Sequence, residues 1–474
     1  YFCFMKPILT LLLCLVCASA QADKLVTYPA PQGAELNNDF DISVRTPGGQ
    51  WQHVDAYAWK VDKVVNCRHT AMKSSVAYFD FEGTVEVEVK SLRQPVIDSC
   101  RVRPLSYNIP VSTEGNTIRF TLDRPRDLSI EVNGEIFHNL QLFANGMEPK
   151  VKKGKDVIYF GPGYYDLKDD SILVTSGKTL YVAGGAYIKG FASVWKAKNV
   201  KVVGHGIINP ERQCAGLRVR YSSNVAVDGI ITTQIPVGGS DSVSVANSKV
   251  ISWYGWGDGM NVFASNNVSY NHVFCRTSDD CSTIYCTRLG YKGGCSNIRI
   301  KDAVYWADVA HPIMIGLHGD IGRNEIIEDV VYEDVDILDH AEKQIDYQGC
   351  IAINNGDNIL VRNITFRNIR IENFRQGMLF NFRVCYNKKY CQAPGRGIRD
   401  IRLENITYNG AHSELSLLTG YSPDRTIENI SFRNLVINGT LITDTMPGKP
   451  AWYKTADMAR IFVGEHVSGI TFSK

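Results

Sequence analysis

A chain of 474 residues with 51 Lys and Arg against 49 Asp and Glu has almost no net charge and no long run of either sign. That balance excludes a nucleic-acid-binding stripe and a polybasic membrane patch. The length admits two or three ordinary domains, or one long repetitive domain with a smaller companion.

Met5 and Lys6 precede the apolar run ILTLLLCLVCASA, and Ala18, Ala20 and Ala22 offer A-x-A cleavage patterns. Residues 1–22 therefore read as a secretory leader, and the mature chain is expected to be exported to the periplasm or the exterior. No later segment reaches about 18 consecutive apolar residues, so no membrane span is expected. Ten of the 13 cysteines lie beyond the leader. In an oxidising compartment the nearest candidate pairs are Cys67 with Cys100 and Cys385 with Cys391. No two C-x-x-C units stand in register, so no metal site is expected, and Cys281 and Cys350 read as buried thiols in a strand stack.

Residues 23–150 carry short alternating runs, DFDISVR, VAYFDFEGTVEVEVK, NTIRFTLD and LSIEVNG, separated by turn residues. This spacing predicts a small β-sandwich. In GTVEVEVKS, Val85, Val87 and Val89 share one face and Glu86, Glu88 and Lys90 the other, as a half-buried strand requires.

From residue 151 to 474 the texture changes to recurring short β units. They include NVKVVGHGIIN at 199, NVAVDGIITT at 224, NVSYNHVF at 267, NIRIKDAVYW at 297 and NILVRNITFRNIRI at 358. Repeats of this kind predict a solenoid whose turns bury inward side chains against one another. Asn, alternating aliphatics and Asn again suit a parallel β-helix, because Asn tolerates left-handed turns and can bond along the stack. Asn363 and Asn405, although each opens an Asn-Ile-Thr sequon, read as structural turn residues on this account.

Within the repeats Asp258 stands alone, and 21 positions later come Asp279 and Asp280. One solenoid turn brings the three together. Adjacent strand residues point to opposite faces, so both members of the pair can serve one cleft only if the chain bends between Ser278 and Cys281. Glycosidic hydrolysis needs one protonated carboxyl for the leaving oxygen and another carboxylate to activate water, about 6.5–9.5 Å apart in an inverting enzyme. Crowded carboxylates raise the proton affinity of one member while the others stay ionised.

The D-G, the 21-residue step and the D-D-C of GDGMNVFASNNVSYNHVFCRTSDDC resemble the N-T-D-G to D-D-C segment of glycoside hydrolase family 28, the polygalacturonases, and the related family 49 dextranases. The resemblance spans roughly residues 150–440, with its specific part at 255–320. It implies an all-β chain built on a right-handed parallel β-helix, no cofactor, and a polysaccharide or oligosaccharide substrate for a monomeric enzyme. It also implies that Asp279 is the general acid while Asp258 and Asp280 hold and deprotonate the attacking water. An N-terminal sandwich ahead of the helix is the family 49 arrangement.

His311, in VAHPIMIGLHGD, matches the histidine of the family 28 G-H-G-I-S-I-G-S element, although its neighbours here are Ala310 and Pro312. The R-I-K element that grips a uronate is replaced by GCIAINNGDNILVRNITF, with neither Arg nor Lys in the matching place. Lys343 is the candidate substitute. Trp256, Asn261, His318 and Asp320 are further candidate substrate contacts, and Trp253, Tyr254 and Trp306 could stack on sugar faces or simply pack. Loop 386–398 brings Lys388, Lys389 and Arg396 as candidates for holding an acidic chain.

The first expectation is an exported hydrolase of α-linked polysaccharide, pectic or dextran-like, acting with inversion. A β-helix lyase would instead want a calcium site and a strong base. A glycan-binding protein would need none of the three aspartates.

Overall fold

A computed structural model describes residues 23–474 except 66, 67, 254 and 412. The expected leader at residues 1–22, Cys67 and Tyr254 lie outside the described residues. Among those described, no helix is long and apolar enough to cross a membrane.

Between Lys24 and Asn145 two sheets face each other, one of six strands and one of five. The alternation read from the sequence sets their packing: Val85, Val87 and Val89 are buried against Ile42, Phe79, Ile118 and Leu142. From Val157 to Ser473 the strands join one continuous stack, parallel except where Thr440–Ile442 folds back on Ile427–Ile437, wound as a right-handed β-helix. Each coil pairs with the next in register, for example Val268 with Ile298, Ile298 with Val330, and Val330 with Ile364. A ladder of Ile and Val fills the interior.

The turns are built as the Asn pattern implied. Asn199, Asn224, Asn267, Asn297, Asn368, Asn405 and Asn434 all adopt positive φ, a conformation few other side chains tolerate. Their amides bond along the stack: Asn224 donates to Asn199 at 2.7 Å, Asn297 to Asn267 at 2.7 Å, Asn405 to Asn368 at 2.8 Å and Asn434 to Asn405 at 2.9 Å.

The sandwich packs along one side of the helix, across successive coils. Tyr57, Trp59, Tyr78 and Phe143 pack on Tyr187, Ile231, Ile251, Phe274 and Trp306. Buried ions cross the seam, with Arg103 bonded to Glu131 and Glu372, each at 2.7 Å.

Candidate active site

A second line of strands runs Met260–Phe263, Ser282–Tyr285, Ile313–Gly316 and Ile351–Asn355. Their register pairs Met260 with Ser282, Ser282 with Ile313, and Ile313 with Ile351. Two residues before each strand, the same register stacks Asp258, Asp280 and His311. Asp258 thus precedes its strand rather than ending one. Backbone bonds hold the stack, from Gly259 N–H to the Asp280 carbonyl at 2.9 Å and from Cys281 N–H to the His311 carbonyl at 2.8 Å. The glycine of the D-G pair is needed here, since a Cβ at Gly259 would lie 2.2 Å from the Cys281 carbonyl oxygen.

The bend expected at the acidic pair is present. One strand ends at Thr277 and the next begins at Ser282, leaving 278–281 free of strand geometry. Asp279 and Asp280 therefore both reach the cluster, and one oxygen from each of Asp258, Asp279 and Asp280 lies within 4.8 Å of the others.

Each carboxylate has its own partners. Asp258 accepts from the Asn261 amide at 3.0 Å. Asp279 accepts from the backbone N–H of Asp280 at 3.0 Å. Asp280 accepts from the His311 backbone N–H at 3.1 Å, from His311 Nδ1 at 2.7 Å and from the Tyr285 hydroxyl at 3.0 Å. His311 is fully buried, and its other ring nitrogen meets the Tyr347 carbonyl.

Burial, then repulsion from Asp280, pushes the Asp279 carboxyl up to about 7. Burial, then the charges of Asp279 and Asp280, holds Asp258 well above the usual carboxylate range. Burial alone would lower His311, but Asp280, Glu342 and the Tyr347 carbonyl outweigh it and the net shift is upward. The centre is therefore a proton-sharing acidic group braced by an imidazolium, and two of its carboxyls have raised proton affinity.

The cluster lies at the base of a cleft of about 700 Å³, within the usual size of small-molecule sites. Trp256, 81 % exposed, stands at its rim. Tyr285 and His318 meet edge to face in the wall at 4.9 Å, and Tyr347 stacks on Tyr390 at 4.7 Å. Burial, then Arg288, drives His318 down to about 3, so it is neutral where it receives the Arg288 guanidinium at 3.3 Å. A cavity of similar size, about 680 Å³, opens on the outer face of the sandwich. Its Glu86 and Glu88 are paired with Arg45 and Arg119, which leaves no crowded acid there.

Asp258, Asp279, Asp280, Trp256, Asn261 and His318 line the cleft, and His311 braces it from below. Two expected contacts are corrected. Lys343 is exposed and outside the lining, while its neighbours Glu342 and Gln344 face in; Glu342 accepts the Gln344 backbone N–H at 2.8 Å, a turn that directs residue 343 outward. Asp320 closes its own turn by accepting the Gly322 N–H and pairs with Arg323 at 3.2 Å. Trp306 is buried in the seam against Arg103 and Arg276, so it packs rather than meeting a sugar. Arg396 is bonded to the carbonyls of Asn358 and Glu325, whereas Lys388 is exposed and Lys389 bonds Gln344. Cys281 and Cys350 are buried free thiols, and Cys385 and Cys391 are free thiols sharing a hydrogen bond.

Sequence reasoning missed His69, Arg288, Glu342, Tyr347 and Tyr390 as lining residues. For Glu342 and Tyr347 a signal existed, since they lie on the coil that follows His311 in the stack.

The profile of glycosyl hydrolases family 28 matches residues 165–447, more than half of the chain. The chain belongs to that family. It is 25 % identical over 360 residues to the isopullulanase of Aspergillus niger, a match covering 57 % of this chain and 61 % of the relative, so it aligns with less than two thirds of that protein. The fold of Dex49A from Penicillium minioluteum is similar over 95 % of this chain and 96 % of that one, with a TM-score of 0.63 at 14 % identity. Family membership places the chain among the glycosyl hydrolases of family 28.

Proposed function

We propose that this family 28 chain is an exported hydrolase that cleaves α-linked neutral glucan by single displacement with inversion. Asp279 donates its proton to the leaving oxygen, Asp258 and Asp280 hold the water, and Asp280 takes its proton. The observation that carries the reading is the in-register stack of three carboxylates within 4.8 Å. One water donating to two carboxylates at about 2.8 Å each spans oxygens roughly 4.4 Å apart, so a pair in this cluster can grip it while the third remains the acid. Asp279, held protonated up to about 7, is suited to donation at neutral pH.

The charge of the cleft supports a neutral substrate. Asp258, Asp279, Asp280 and Glu342 face it, against Arg288 as the one Arg or Lys among the described lining residues. A uronate chain would meet net repulsion there, without the paired cations its carboxylates need. The likeness to an enzyme named for pullulan, an α-glucan, points the same way.

A retaining mechanism is the alternative that the anomer of the product distinguishes. Carboxyl groups about 5–5.5 Å apart belong to retaining enzymes, in which one of them attacks the sugar. The test is proton NMR of the first product released from dextran or pullulan. An initial β-anomer from an α-linkage supports inversion, an initial α-anomer supports retention, and release from polygalacturonate alone overturns the neutral-substrate assignment.

A further inference from the structure

Nothing in the reaction above uses the N-terminal sandwich, yet its longest hairpin reaches the cleft. Tyr57–Val65 pairs with Arg68–Glu82, from Tyr57 opposite Val76 to Val65 opposite Arg68. The base of the hairpin is fixed to the helix. The Trp59 indole N–H donates to the Ile251 carbonyl at 2.9 Å, and Tyr57 stacks on Tyr187 at 5.9 Å. Farther out, Lys60 Nζ lies 4.5 Å from the centre of the Trp253 ring. Near the tip, His69 lines the same cleft as the three aspartates.

Two more observations concern this edge. Fully buried Asp62 meets His69 Nδ1 at 2.5 Å, while its other oxygen has no hydrogen-bond partner among the described residues. A carboxylate is costly to bury, and one placed behind a histidine fixes the orientation and tautomer of its ring. A second cavity of about 180 Å³ opens in the seam and is lined by Lys60, Lys73, Glu211 and Trp253 among others. Glu211 and Trp253 stand just before Gln213 and Trp256, which line the cleft. The seam cavity therefore borders chain next to the cleft lining.

We infer that the sandwich is part of the active site: His69, oriented by Asp62, binds a sugar unit of a neutral glycan that leaves the cleft along the Trp253 seam. A hexose offers hydroxyls to the imidazole and an apolar face to the indole. The inference rests on the hydrolase reading proposed above.

The test uses the full chain carrying His69→Ala, Trp253→Ala or Asp62→Asn, with dextran and pullulan as probes. KM and kcat are read alongside retardation in gels containing each glycan, the latter in an Asp279→Asn background. His69→Ala and Trp253→Ala are expected to raise KM and weaken retardation about five- to tenfold, with kcat changing less than KM. Asp62→Asn should fall between them and wild type, and His69→Gln should recover part of the loss. The rise in KM should shrink for oligosaccharides too short to reach the seam. Unchanged KM and retardation in every variant overturns the inference and leaves the hydrolase reading standing. A fall in kcat and melting temperature with KM unchanged means a structural role and also overturns it. Retardation that depends on His69 in a protein releasing no product supports the subsite and overturns the hydrolase reading instead.

Discussion

Two corners of the same solenoid use one device to opposite ends. At the corner of Asn368, Asn405 and Asn434, in-register stacking sets amide donors against amide acceptors and each coil bonds to its neighbour. At the corner of Asp258 and Asp280 the same register piles up like charges, with Asp279 swung in by the bend at 278–281. The first corner is relaxed. The second holds protons that ordinary carboxylates would release, which is what a general acid requires.

The largest effect expected from breaking this contrast is at Asp279. Asp279→Asn should lower kcat about 10²–10⁴-fold and leave the melting temperature at neutral pH equal or higher, because it removes the cost of ionising a buried carboxyl beside Asp280. A variant that loses activity only by unfolding would contradict the assignment.

The pH profile comes next. With Asp279 titrating near 7, kcat/KM should fall about tenfold per unit above that pH as the acid form disappears. Stability carries the same sign. Between about pH 4, where an ordinary Asp releases its proton, and about 7, the folded state keeps a proton that the unfolded chain has lost. This carboxyl's contribution to stability therefore falls as pH rises through that window. Urea titrations at several pH values should show the slope in wild type and a flatter line in Asp279→Asn.

Asp280→Asn sharpens the contrast from the other side. It leaves buried His311 without its charge partner, so a loss of about 3 kcal/mol is expected in denaturant unfolding, in addition to lost activity. At the relaxed corner, Asn405→Ala should cost about 1–2 kcal/mol, from a lost amide bond and a left-handed backbone, with kcat unchanged. The smallest effect expected is that of EDTA. Although the three carboxylates are close enough to ligate a cation, the proposed reaction uses water and protons alone, so chelation should alter the rate less than about twofold. Chelator-sensitive release of unsaturated products would instead favour a lyase.

Much of the relaxed corner was legible in sequence, because the recurring Asn and alternating aliphatics encode both coil and turn. The trio was legible for the same reason, since a spacing of one coil brings Asp258 beside the pair Asp279 and Asp280. What could not be read came from chain that has no period. His69 reaches the cleft from the sandwich, and Arg288 and Tyr390 from loops between strands. In HAEKQIDYQG nothing in the spacing says which of residues 342–344 face inward, and the cation, Lys343, turned out to be the one that faces away.

The most direct test of the central claim is product release from polygalacturonate, rhamnogalacturonan, dextran and pullulan by the wild-type chain and by Asp279→Asn. The account predicts release from a neutral α-glucan that disappears in the variant while its fold, read by circular dichroism, is unchanged. Equal release by the two proteins, or none from any of the four, would contradict it.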